Sequence, residues 1–168
     1  MARRSLSMWR RAVSDSARQE GAKAKYLPIF LDVSQKRVLL VGGGTVAAEK
    51  VRGLKPFVSD ITIIAKTIHP DISDVTTIIG EYSKKVLDGF DLIYACTSDR
   101  ELNRRIRDDA HEHHLIVNVV DDPSLSDFIS PAVFCSDPMT IAVSSGGKDV
   151  KRTVALRDQI REWMTSHD

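Results

Sequence analysis

Three groups of residues have types and spacings that could do chemistry. The first is Gly42-Gly43-Gly44-Thr45-Val46-Ala47. Gly42, Gly44 and Ala47 fit G-x-G-x-x-G/A, the pattern by which a strand turns into a helix beneath a dinucleotide pyrophosphate. Gly42 would permit the sharp turn, because glycine tolerates positive φ. Gly44 would let the backbone approach a phosphate, and Ala47 would let the helix pack closely on the strand. The helix N-terminus would then offer unpaired N–H groups and partial positive charge to the anion. The second group is Asp121-Asp122, before Pro123. It reads as a turn pair, or as a carboxylate that takes a proton while hydride leaves a substrate. The third is Ser144-Ser145-Gly146-Gly147, a plain loop or an anion-binding nest of N–H groups and hydroxyls.

Such residues must be held by rigid elements, and the sequence supplies them in alternation. Tyr26 to Leu31 is an apolar lead-in that Pro28 keeps extended or at a sheet edge. Arg37 to Val41 reads as the first core strand, and Thr45 to Lys55 as the first helix, stopped by Pro56. Asp60 to Ala65 is an apolar, β-branched second strand. Val75 to Gly80 reads as a third strand, Ser83 to Leu87 as a short helix, and Asp91 to Thr97 as a fourth strand. Glu101 to His111 carries Leu102, Ile106 and Ala110 on one helical face. Leu115 to Val120 and Met139 to Ser144 read as a fifth and a sixth strand, and Val150 to Thr165 as a terminal helix. This alternation predicts an α/β fold: a doubly wound, mostly parallel sheet of Rossmann type, with helices on both faces and a short C-terminal helical extension.

In such sheets ligands bind at the carboxyl ends of the strands. Besides the glycines, those ends carry Lys66 and Thr67, then Thr97-Ser98-Asp99, then Asp121-Asp122, then Ser144 to Gly147. The acid that commonly receives an NAD ribose at the end of the second strand is missing, since the chain reads Ile64-Ala65-Lys66-Thr67. Lys66 could favour the 2′-phosphate of NADP, or Thr67 and backbone groups could hold an NAD ribose. His111, His113 and His114 cluster at a helix end, but their spacing matches no zinc motif, and the helix dipole favours histidine there. There is no G-x-S-x-G, no P-loop lysine and no Tyr-x-x-x-Lys pair.

The 168 residues suit one domain. A net charge of +1 gives no support for bulk-charge binding to nucleic acid. No apolar run approaches the ~20 residues that span a bilayer. Cys96 and Cys135 are distant in sequence, form no C-x-x-C and fit a reducing compartment. Residues 1–25 differ from the rest, with seven basic residues against two acidic ones and no apolar stretch of signal-peptide length. They partly share the character of a transit peptide and read better as a basic arm that could cover an anionic ligand or a partner subunit.

Four stretches occurring in one order resemble the family of precorrin-2 dehydrogenases, the N-terminal module of siroheme synthases. They are Tyr26 to Leu31; Val41 to Ala47; Asn118-Val119-Val120-Asp121-Asp122-Pro123 with Phe128 to Ala132; and Ala142 to Lys148. The resemblance runs from about residue 26 to 160. It implies NAD-dependent oxidation of precorrin-2, a tetrapyrrole, to sirohydrochlorin, in a cytoplasmic homodimer. Asp121, directly after Asn-Val-Val, would be the general base. Gly42, Gly43, Gly44, Thr45, Val46, Lys66, Thr67 and Thr97 would hold the cofactor, because the family accepts a second strand without the usual acid. Asn118, Ser144, Ser145, Gly146, Gly147 and Lys148 would meet the substrate. Ser145 matches a serine phosphorylated in some relatives. Arg104, Arg105, Arg107, Lys148, Lys151, Arg152 and the arm could face the substrate's carboxylates, although most such charges belong to a solvated surface.

The domains expected are an arm at 1–25, an NAD-binding domain at 26–148, and a C-terminal helix at 149–168, shorter than in longer members. After Gly147 the chain continues Lys148-Asp149-Val150, where the family often has Ser-Pro, so the substrate end of the site is expected to differ. Two rival readings remain. In one the enzyme also inserts Fe2+ into sirohydrochlorin, and in the other the domain senses a dinucleotide without catalysis.

Overall fold

The computed structural model describes residues 25–120 and 122–166. Most of the basic arm and Asp121 therefore lie outside the described residues. The strands are β1 (Arg37–Val41), β2 (Asp60–Ala65), β3 (Thr76–Ile79), β4 (Leu92–Ala95), β5 (Ile116–Val119), β6 (Ala132–Ser136) and β7 (Met139–Val143). The α-helices are α1 (Thr45–Leu54), α2 (Arg100–Glu112) and α3 (Val150–Thr165).

The first five strands form one parallel sheet in the order β3-β2-β1-β4-β5. Apolar runs make these strands because both faces of the sheet are covered. Along β1, Val38 and Leu40 enter one core while Leu39 and Val41 enter the other. Helix α1 covers the first face through Ala47, Ala48 and Val51. Ala47 is fully buried, and its small side chain lets the helix lie close to the sheet. Helix α2 covers the second face through Ile106 and Ala110. Asp99 caps α2, accepting from Glu101 N at 2.9 Å and Leu102 N at 3.1 Å.

At the amino-terminal edge of the sheet, Arg37 ties three segments together. Its Nε lies 3.2 Å from Asp60 Oδ2, and its Nη1 donates to Gly89 O at 3.0 Å. Its backbone N donates to Asp91 Oδ2 at 2.9 Å, while Lys36 Nζ donates to Asp91 Oδ1 at 2.8 Å.

The sixth expected strand does not join this sheet. Met139–Val143 pairs antiparallel with Ala132–Ser136, a strand that sequence reading left unassigned. Only Asp137-Pro138 connects them, and a two-residue link allows a hairpin but not a parallel crossover. Helix α3 packs on this hairpin. Three further expectations are adjusted. The segment Ser83 to Leu87 tightens into a 3-10 turn at Lys84–Leu87. The lead-in Tyr26 to Leu31 joins no sheet, and Leu27 and Phe30 remain 81% and 74% exposed. The helix expected from Glu101 starts one residue earlier, next to its Asp99 cap.

Candidate functional site

The sheet order reverses beside β1. From β1 the chain steps outward to β2 and β3, then returns to the other side of β1 as β4. The loops after β1 and β4 therefore diverge above different faces, which opens a crevice at the carboxyl ends of the strands. A cleft of about 610 Å³ occupies that place. Its walls include Gly42, Gly43, Gly44, Thr45 and Val46 from the β1–α1 turn, Lys66 and Thr67 after β2, and Thr97 after β4. Every residue expected at the cofactor thus meets in one cleft. Ser98, expected at the same strand end as Thr97, lines it too, and Tyr82, Cys96, Leu102 and Val120 join the walls without having been expected there.

Each glycine of the turn has its own reason. Gly42 has φ +111°, and a Cβ on it would lie 2.6 Å from the carbonyl oxygen of Cys96. A Cβ on Gly43 would collide with the Thr67 carbonyl, a constraint the motif alone does not reveal. A Cβ on Gly44 would meet no described residue beyond its chain neighbours within 4 Å. The space beside Gly44 is open cleft, as needed for a phosphate to approach the backbone. Gly44 is also the N-cap of α1, with no side-chain cap and no acid in the first turn. The first amides of α1 thus have no cap from the Gly44 position at the cleft wall, a favourable place for an anion. On these observations the residues present fit a dinucleotide.

The opposite wall is braced by a residue that sequence reading missed. Asn103, 5% exposed on α2, accepts from Thr97 N at 3.3 Å and donates through Nδ2 to Thr97 O at 2.9 Å. Thr97 Oγ1 donates to Asn103 Oδ1 at 2.7 Å. A polar residue beside the apolar stripe of Leu102, Ile106 and Ala110 was the available signal. Tyr82 is held similarly, its hydroxyl donating to Asp109 Oδ2 at 3.0 Å. Burial, with the Asp109 carboxylate beside it, pushes the Tyr82 phenol well above its ordinary pKa. At the outer rim, Lys66 Nζ lies 2.9 Å from Glu81 Oε1.

The residues expected at the substrate are divided. Ser144, Ser145 and Gly147 line a second cavity of about 150 Å³, with Ser130, Pro131, Val150 and Thr153. Gly146 and Lys148 belong to the same loop but not to its lining. The loop turns its amides inward: Gly146 N donates to Ser144 Oγ at 3.0 Å, and Asp149 N to Ser145 Oγ at 2.8 Å. The two serine hydroxyls thus hold the loop and the start of α3, where Asp149 accepts from Arg152 N at 2.9 Å. Asn118 lines neither cavity. It is 6% exposed on β5, and its Nδ2 donates to Phe128 O at 2.8 Å. It ties the 126–128 segment to the sheet, with Ser126 and Asp127 accepting from Val119 N and Val117 N, both at 2.9 Å.

The turn after β5 links the two cavities. Val120 lines the large cleft, and a Cβ on Gly147 would lie 3.2 Å from Pro123 Cγ. Asp121, between them in sequence, is outside the described residues. Asp122 is a turn cap: its carboxylate accepts from Ser124 N at 3.1 Å and from the Ser124 hydroxyl. That hydroxyl contact holds the Asp122 carboxyl below its ordinary pKa.

The neighbouring charges are largely paired. His111 Nε2 faces Asp127 at 3.0 Å, and His113 Nδ1 faces Asp88 at 3.6 Å, so the two histidines serve different carboxylates. Arg104 pairs with Glu101, and Arg105 lies 3.7 Å from Asp109. These arginines face their own helix's acids, which is the solvated-surface reading. Among the described residues, no helix is long and apolar enough to cross a membrane.

A five-stranded parallel sheet in this order, with a glycine-lined cleft where the order reverses, defines a Rossmann-type dinucleotide-binding protein. The chain belongs to the family described as "Putative NAD(P)-binding", whose profile matches residues 29–132. It is similar to "Siroheme synthase 3" of Aeromonas hydrophila, 35% identical over 148 residues, 84% of this chain and 32% of that protein. It is also similar to siroheme synthase of Zymomonas mobilis, 39% identical over 141 residues, covering 80% of this chain and 30% of that one. The chain therefore spans under a third of the length of these curated relatives. Among solved structures, "SirC, precorrin-2 dehydrogenase" shares the fold with a TM-score of 0.64 and 24% identity, covering 85% of this chain and 71% of that one.

Proposed function

We propose that this chain oxidises precorrin-2 to sirohydrochlorin with NAD+, as a cytoplasmic homodimer. The observation that carries this reading is the cleft at the strand-order reversal. It joins the glycine turn and the ends of β2 and β4 to Val120, the residue before Asp121. The likeness to siroheme synthases over more than four-fifths of the chain supports the substrate. Residues 26–148 form the dinucleotide-binding domain in this reading, and 149–168 the C-terminal helix. The homodimer is supported by apolar side chains exposed on α3 and the hairpin, with Val150, Leu156 and Met139 at 67%, 45% and 54% exposure.

In this reading Gly42 to Val46, Lys66, Thr67 and Thr97 bind and orient the dinucleotide. NAD+, when bound, supplies the acceptor for the hydride. The Asp121 carboxylate takes the accompanying proton, so precorrin-2 loses two hydrogens in all. Ser144 to Lys148 and Asn118 shape the substrate side, the serines by fixing their loop and Asn118 by fixing the Phe128 segment.

The test is anaerobic incubation of the protein with precorrin-2 and NAD+, with the product identified by its absorption spectrum. Sirohydrochlorin is expected, and unchanged precorrin-2 would contradict the proposal. A parallel incubation of sirohydrochlorin with Fe2+, without NAD+, separates a dehydrogenase from an enzyme that also inserts iron. Sirohaem there would establish the second activity.

A further inference from the structure

In dinucleotide-binding folds an acid at the end of the second strand receives the ribose 2′-hydroxyl, whereas a cation there accommodates a 2′-phosphate. In this chain β2 ends in Ala65-Lys66-Thr67, a cation where the acid is expected. The acid comes instead from the neighbouring strand. β3 runs parallel to β2 with Ile79 opposite Ala65, so the next residues, Gly80 and Glu81, continue beside Lys66 and Thr67. Lys66 Nζ and Glu81 Oε1 are 2.9 Å apart. Lys66, Thr67, Gly80 and Tyr82 all line the large cleft, which places this pair on its rim. Both side chains are largely exposed, at 74% and 78%. An exposed pair of this kind adds little to stability. The hydrogen bond from Lys66 holds the Glu81 carboxyl below its ordinary pKa and hence ionised at neutral pH.

We propose that Glu81 makes the site select NAD over NADP. Its carboxylate supplies the acceptor that β2 lacks, and it cancels the charge by which Lys66 would attract a 2′-phosphate. This inference rests on the reading of the cleft as a dinucleotide site, and it assigns the specificity of that site to a residue from β3's end.

The test is equilibrium binding of NAD+ and of NADP+, measured by calorimetry on the full chain without precorrin-2. The wild type is expected to favour NAD+. Glu81→Gln is expected to move the ratio of dissociation constants toward NADP+ by roughly tenfold, the scale of one charged hydrogen bond. Adding Lys66→Ala to Glu81→Gln should withdraw the gain, because the freed cation is then gone. Raising the salt concentration should shrink the gain in the single variant. An unchanged ratio in Glu81→Gln would overturn the proposal, as would equal loss of both dinucleotides or a gain that survives in the double variant. Binding of neither dinucleotide would overturn it together with the cofactor reading. Dinucleotide binding without turnover of precorrin-2 would count against the proposed reaction alone.

Discussion

Gly42 lies so close beneath the end of β4 that a Cβ would stand 2.6 Å from the Cys96 carbonyl oxygen. At Gly44, two residues on, no described residue beyond its chain neighbours comes within 4 Å of the same position. The two glycines of one motif therefore answer to different constraints, one inside the fold and one in the cleft. Gly42→Ala is expected to cost about 2–4 kcal/mol through positive-φ strain and overpacking. In a chain of this size that lowers the melting temperature by on the order of 10 °C. Gly44→Ala is expected to change stability by less than about 0.5 kcal/mol. It should weaken NAD+ binding roughly tenfold by narrowing the approach to the backbone. Thermal melts and calorimetry on both variants check the contrast. Equal destabilisation by the two would contradict it.

Asn103 holds both the amide and the carbonyl of Thr97 from the buried face of α2. Asn103→Ala leaves those groups short of partners and should cost about 1–3 kcal/mol. Because Thr97 is part of the cleft wall, the variant should also bind NAD+ several-fold more weakly, on the order of 1 kcal/mol. Denaturant midpoints and NAD+ titrations read the two effects separately.

Ser145 Oγ accepts from Asp149 N at 2.8 Å and lies 3.1 Å from Thr153 Oγ1, so it anchors the start of α3 beside the smaller cavity. Ser145→Ala should cost about 1 kcal/mol. Hydrogen exchange should rise in the first turn of α3. The KM for precorrin-2 should increase while the dissociation constant for NAD+ stays unchanged, since Ser145 is absent from the large cleft's walls. A matching loss of NAD+ affinity would mean that the two cavities do not act separately.

Asp91 carries a pH dependence of defined sign. The Arg37 backbone N–H, then the Lys36 ammonium, hold its carboxyl below the ordinary aspartate value. A folded-state value below the unfolded one stabilises the fold above the unfolded pKa, about 3.9, and that contribution is lost as pH falls through the folded value. Urea midpoints should therefore drop between about pH 4 and lower values. Asp91→Asn should be less stable than wild type at neutral pH and show a shallower acid decline. Parallel curves for the two proteins would remove Asp91 from this role.

The residues that could be read from sequence are those whose neighbours in space are neighbours along the chain. Val38 to Val41, the glycines and Ala47 form one continuous strand–turn–helix, and the four strand residues are all buried, alternately in the two cores, as an unbroken apolar run implies. Lys66, Thr67 and Thr97 follow from the rule that loops at the carboxyl ends of parallel strands converge. The hairpin did not follow. Met139–Val143 carries an ordinary strand pattern, and only its pairing with Ala132–Ser136 decides that it leaves the main sheet. Prolines at 131 and 138 masked that partner by flanking a short strand. Glu81 and Asn103 stayed hidden for a related reason. Each acts through a cleft residue of another element, Asn103 through Thr97 and Glu81 through Lys66, and Glu81 stands fifteen residues beyond Lys66 in the chain.

In the proposed reaction hydride leaves precorrin-2 for NAD+ while Asp121 takes the proton. The most direct test follows NADH formation anaerobically from precorrin-2 and NAD+, for wild type and for Asp121→Ala, after calorimetry has shown that both bind NAD+. One NADH per sirohydrochlorin is expected from the wild type, and a rate at least about a hundredfold lower from the variant, the scale of general-base catalysis. A wild-type protein that binds NAD+ and never reduces it in the presence of precorrin-2 would contradict this reaction.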